Sequence, residues 1–197
     1  MKQYIAIILF SVIHVSGFTQ PQMLGKQERK FGFTVGYGFQ DGLNVTYHYD
    51  VLLLQLNYYL TLFARESFSI EVIPKPQFNI TGYKVTNNSS KETSGFEFGL
   101  NVGFAARKIF CNGGTAAYLL IGSGPHYVSG VPERQAKGFI FSDNIITGLD
   151  IKLSDKVRLD LAGGVRHISN AGLKRPNGGV NNIVLYSGLI YLMKTKQ

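Results

Sequence analysis

The sequence contains no tryptophan and one cysteine, and Asp, Glu, Lys and Arg make up only 16% of its 197 residues. A single thiol, Cys111, excludes an internal disulfide. No Cys-x-x-Cys pair or Cys/His cluster of metal-binding spacing occurs, so no zinc site is expected. Cys111 reads as a lone thiol in a turn. The longest apolar stretch, Tyr4 to Val15, is about a dozen residues, short of the ~20 that a spanning helix needs. The net charge is +8, yet the basic residues are scattered. Without a Lys/Arg block or a recognisable motif, nucleic acid is not an expected partner.

What the chain has instead is 23 glycines, 14 phenylalanines and 11 tyrosines. Its mean hydropathy of +0.05 lies above that of an ordinary soluble domain and below that of a helical membrane protein. A barrel gives such a middle value, because half of each strand faces lipid and half faces a polar interior.

The amino terminus has the form of a signal peptide. Lys2 supplies the positive end, Tyr4 to Val15 is apolar apart from Ser11 and His14, and Val15 and Gly17 are small enough for a cleavage site. No cysteine follows directly, which argues against a lipoprotein anchor. The division expected is a signal peptide over 1–19, cleaved near 17–20, and a single barrel domain over 20–197.

The remaining chain alternates at period two. Phe31, Phe33, Val35, Tyr37 and Phe39 interleave with Gly32, Thr34, Gly36, Gly38 and Gln40. Leu52, Leu54 and Leu56 lie on one register of the next run, and Phe96, Phe98, Leu100, Val102 and Phe104 on one register of a later one. Successive side chains of a strand point to opposite faces, so each run has one greasy face and one small or polar face. Glu71, Lys75, Glu97, Arg107, Arg158, Asp160 and Arg166 all fall on the second face. Charges of both signs among Gly, Asn, Ser and Thr suit the filled interior of a narrow barrel, where they can pair.

Eight such segments are expected, near 31–40, 44–61, 67–81, 94–108, 116–128, 138–153, 156–169 and 181–193. Pro74 and Pro76 predict a bulge or break in the third, and Gly122-Ser-Gly-Pro125 makes the fifth ambiguous. Connections after even segments are short and those after odd segments long, except the first, near Asp41-Gly42-Leu43, which reads as short. Long outer loops and short periplasmic turns mark outer-membrane barrels. The fold class expected is all-β: an eight-stranded antiparallel transmembrane β-barrel of the outer-membrane type.

The seventh segment ends in chemistry. Val157, Leu159, Leu161 and Val165 share a register that His167 and Ser169 continue, which aims both toward lipid. Residues two apart on a strand are ~6.6–7 Å apart at Cα, close enough for an imidazole to reach a serine hydroxyl as its general base. His48 and His126 have no such partner and read as structural.

The string His167-Ile-Ser-Asn-Ala-Gly-Leu-Lys-Arg-Pro-Asn-Gly-Gly-Val-Asn-Asn182 closely resembles the lipid A 3-O-deacylase family (PagL). The strand count extends the resemblance over the mature chain. Members of that family are eight-stranded outer-membrane barrels with a Ser-His-acid site on the outer wall. The resemblance implies His167 as general base, Ser169 as nucleophile and Asn170 as a holder of the oxyanion. It implies removal of the 3-position acyl chain of lipid A, with lipopolysaccharide in the outer leaflet as partner and no cofactor. Lys174 and Arg175, in the following loop, are candidates for its phosphates.

One position departs. The family's acid stands fourteen residues after the histidine, and here that position is Asn181. An amide can orient an imidazole but cannot neutralise an imidazolium. In a well-studied triad Asp→Asn costs ~10⁴ in rate through the wrong tautomer. Asp143 is the candidate acid in its place. It shares the outward register of Phe139, Phe141, Ile145 and Leu149, and pairing through the turn at Ser154-Asp155 sets it opposite Val165 or His167. The alternative function is a non-enzymatic, OmpX-like structural or adhesion barrel that has lost its acid.

Overall fold

Strands with one greasy and one polar face need a partner surface for each, and a sheet closed on itself provides both. The computed structural model describes residues 29–86 and 90–193; the signal-peptide expectation lies outside them. The strands are β1 (Arg29–Phe39), β2 (Tyr49–Arg65), β3 (Phe68–Tyr83), β4 (Thr93–Phe110), β5 (Thr115–Ser123), β6 (Pro125–Val128), β7 (Gly138–Lys152), β8 (Val157–Ser169) and β9 (Val180–Met193). Each pairs antiparallel with its neighbours, and β1 pairs β9 to close the ring. Both β5 and β6 lie between β4 and β7. They are two halves of one wall strand, so the barrel has eight. The break at Gly124 leaves the register intact, with Val102 opposite Ser123 and Gly99 opposite His126. A Cβ at Gly124 would lie 1.9 Å from the Leu100 carbonyl oxygen, so only glycine fits that approach.

One expectation is corrected. The first outer connection is not short: β1 ends at Phe39 and β2 starts at Tyr49, so residues 40–48 form a loop about as long as the other outer ones. The break expected at the prolines of the third segment is found on one side only. Pro74 and Pro76 stay in register with Val102 and Leu100 of β4, while the ladder to β2 skips from Gln55↔Gln77 to Leu60↔Val72. A residue aims its N–H and C=O at the same neighbour, and residues two apart aim alike. Both missing donors therefore face β2, whose register then shifts between Thr61 and Phe63.

Side-chain parity holds. Phe33 is 47% exposed and Phe98 50%, while Glu97 is 0% and Arg166 1%. The interior charges pair in two tiers. Toward the turns, Glu71 accepts from Lys30 and from Arg107 Nε at 3.1 Å. Asp150 accepts from Arg107 Nη1 at 2.8 Å and from Arg158, and Tyr118 donates to Asp160. Toward the outer loops, Glu97 accepts from Tyr49, from Asn79 at 2.8 Å and from Arg166 at 2.6 Å. An interior void lined by Gln55, Lys75, Arg107 and Tyr186 holds about 20 Å³, room for one water. The lumen there is packed with side chains, not a channel.

Candidate active site on the outer wall

At the outer end of β8 the outward register passes from Val165 to His167 and Ser169, as the alternation requires. His167 lies opposite Asp143 of β7 on one side and opposite Asn181 of β9 on the other. His167 Nδ1 and Asn181 Oδ1 are 2.6 Å apart. A carbonyl oxygen only accepts, so Nδ1 carries a proton, and in the neutral ring Nε2 then keeps its lone pair. That is the tautomer a general base needs. Asp143 shares the wall, but its Oδ1 accepts from Ser123 Oγ at 2.5 Å. The hydrogen bond that the sequence offered to Asp143 is thus made by Asn181. Ser169 is half-buried, opposite Phe141, and its Oγ makes no hydrogen bond among the described residues.

The outer loops hold this arrangement. The Asn181 N–H donates to Tyr47 Oη at 2.8 Å, and its C=O accepts from Gln40 Nε2 at 3.1 Å. Tyr47 is in turn stacked under the Arg134 guanidinium, 4.4 Å from the ring centroid. The loop of residues 129–137 docks on that of residues 170–179: Gly178 N donates to Arg134 O at 2.7 Å, Ala136 N to Pro176 O at 2.8 Å, and Gly179 N to the buried Gln135 Oε1 at 3.0 Å. Gly179, at φ +67°, presses its backbone on the His167 ring. A Cβ there would lie 2.5 Å from Cε1.

Asn170, the residue after Ser169, is held within its own loop. It is 1% exposed. Its Nδ2 donates to Lys174 O at 2.7 Å, its Oδ1 accepts from Gly172 N at 3.1 Å, and its own N–H donates to Asn177 Oδ1. All three bonds stay inside the loop, so Asn170 shapes the turn after Ser169. Lys174 and Arg175 are exposed on that loop.

Beside His167 a groove of about 750 Å³ runs along the wall. Val102, Phe104, Ile121, Ile145 and Val165 make it apolar, and Ser123, Asp143, His167 and Asn181 mark its polar end. Such a slot accepts an alkyl chain and leaves the group that the chain carries beside the imidazole.

A model of the family "Lipid A 3-O-deacylase (PagL)" matches residues 58–189. The chain belongs to this family. Among solved structures, the outer membrane enzyme PagL is similar at 17% identity, with 81% of this chain and 97% of that one covered and a TM-score of 0.58. OprG from Pseudomonas aeruginosa gives 11% identity over 86% and 98%, with a TM-score of 0.45. Ail from Yersinia pestis gives 14% over 85% and 100%, with a TM-score of 0.41. Curated proteins yielded no match. Family membership and the closed antiparallel ring make this a bacterial outer-membrane β-barrel.

His167, Asp143 and Asn181 meet at the polar end of the groove, with Asn181 as the histidine's partner, while Ser169 stands two residues on along the same face of β8, opposite Phe141. Lys174 and Arg175 stand apart on the loop. Sequence reasoning missed Gln40, Tyr47, Ser123 and Gln135. No local pattern marks the loop residues among them; they reach the site because ring closure sets β1 beside β9 and the outer loops beside one another. Ser123 was findable, since it lies on the outward register of β5, one strand from Asp143.

Proposed function

We propose that the protein is a cofactor-free serine esterase that hydrolyses an acyl ester of lipid A in the outer leaflet, the 3-position ester by its family membership. Ser169 Oγ attacks the ester carbonyl while His167 Nε2 takes its proton. The same nitrogen returns the proton to the sugar oxygen as the C–O bond breaks, which leaves an acyl-serine. Water, deprotonated by His167, then releases the fatty acid. Asn181 fixes the ring, and the groove takes the acyl chain. Lys174 and Arg175, exposed on the following loop, would meet the phosphate groups of the substrate.

The observation that carries this reading is the His167–Asn181 hydrogen bond at the polar end of an apolar wall groove. The test is mass spectrometry of lipid A from cells with and without the protein. Expression should remove one acyl chain, and Ser169→Ala or His167→Ala should abolish the loss while the barrel stays heat-modifiable on gels. Deacylation that survives Ser169→Ala overturns the assignment of the nucleophile.

A further inference from the structure

A triad acid does two things: it fixes the tautomer and orientation of the histidine, and it neutralises the imidazolium that forms. Asn181 is built for the first and has no charge for the second. We propose that the second falls to Asp143, a positioning residue that acts through His167 from the opposite strand, held there by Ser123. This rests on the Ser169–His167 reading above.

Three observations meet at Asp143. It is the direct cross-strand partner of His167, and such pairs hold their Cβ atoms ~4.5–5.5 Å apart. A carboxylate at that range attracts the positive charge that forms on the ring during proton transfer. Asp143 is also the only carboxylate among the residues that line the groove. Arg166, the one cation there, turns inward to Glu97. A carboxylate on a lipid-facing register is costly and calls for a partner. The Ser123 hydroxyl gives Asp143 Oδ1 a neutral hydrogen bond, which fixes the side chain without cancelling its charge. Oδ2 takes no hydrogen bond from any described residue. The group beside it that turns cationic during the reaction is His167.

The roles are separable with the purified mature chain in detergent, lipopolysaccharide as substrate, and initial rates of fatty-acid release by mass spectrometry. Asp143→Asn should lower kcat about ten- to hundredfold with KM nearly unchanged, the effect of one lost charge at this range. Adding Asn181→Asp to that variant should recover most of the loss, because the charge returns on the other side of the ring. Asp143→Glu, which keeps the charge, should remain far more active than Asp143→Asn. Full kcat in Asp143→Asn, a loss confined to KM, no rescue by Asn181→Asp, or equal collapse of a folded Asp143→Glu each overturns the proposal. Should Asp143→Asn fail to form the heat-modifiable barrel, the Glu variant decides alone. Ser169→Ala, measured beside them, separates the two claims: activity there overturns the esterase reading itself, whereas an inactive Ser169→Ala with a fully active Asp143→Asn overturns only the role of Asp143.

Discussion

Substituting Gly179 by alanine tests whether the loop backbone sets the position of the histidine. The new Cβ would lie 2.5 Å from His167 Cε1 and 3.2 Å from Nε2. Comfortable carbon–carbon contact begins at ~3.5 Å, so the ring or the strand must yield by about 1 Å. A misplacement of ~1 Å in a reacting group costs about 10²-fold in rate. Alanine at φ +67° also carries a backbone cost of ~1–2 kcal/mol, unrelated to the histidine. Gly172→Ala separates the two effects. That residue has φ +81°, and a Cβ there has nothing within 4 Å. Both variants should lose similar stability, read from the temperature of the heat-modifiable gel shift. Only Gly179→Ala should lose about two orders of magnitude in lipid A deacylation. Equal rates in the two folded variants would refute the idea that Gly179 makes room for the ring.

Asn170→Ala removes both side-chain bonds of the turn after Ser169 and should loosen residues 170–179, seen as faster amide hydrogen exchange there and as lost deacylation, with the wall strands unchanged. Val165→Phe narrows the groove and should reduce turnover of long acyl chains more than of short ones, measured on lipid A species of different chain length. Glu97→Ala leaves Arg166 buried without its carboxylate and should destabilise the barrel by ~3–5 kcal/mol in urea unfolding, the cost of one uncompensated interior charge.

The wall was readable because its code has a fixed period. Phe31 to Phe39 and Phe96 to Phe104 could be assigned outward, and Glu97 and Arg166 inward, from parity alone. Alternation fails where a loop mimics it. Val45 and Tyr47 extend the odd register of β2 backward into residues 40–48, but there the chain turns, with Leu43 N bonded to Gln40 O, and the Tyr47 hydroxyl meets Asn181. At Pro74 and Pro76 the residue type gave the lost donors correctly. Only the neighbour each one faces says that β4 pairing survives. At the candidate site, the motif singled out His167 and Ser169 as candidates, and register brought Asp143 opposite the ring, as the pairing shows. The partner of the ring was beyond such reasoning. Strand pairing places Asp143 and Asn181 equally beside His167, and the choice between them rests on Gln40, Tyr47 and Ser123, which come from other parts of the chain.

That choice follows from what each part of a barrel can tolerate. The interior holds ion pairs already committed to one another, so a nucleophile there would be shielded from lipid and would unbalance Glu97 or Asp150. The lipid-facing wall meets the membrane lipid but rejects unpaired polar groups. Only the outer rim satisfies both demands, because its loops can supply partners from above while the strands fix position from below. Asn181 shows the division. Its place on the wall is set by pairing with His167, its N–H is bonded to Tyr47 and its C=O to Gln40. The side chain is thereby left with one task, to accept from Nδ1. The imidazole is thus fixed by a strand on each side and by loop contacts above, and loosening residues 40–48 would disturb it even though none of them touches the ring by hydrogen bond.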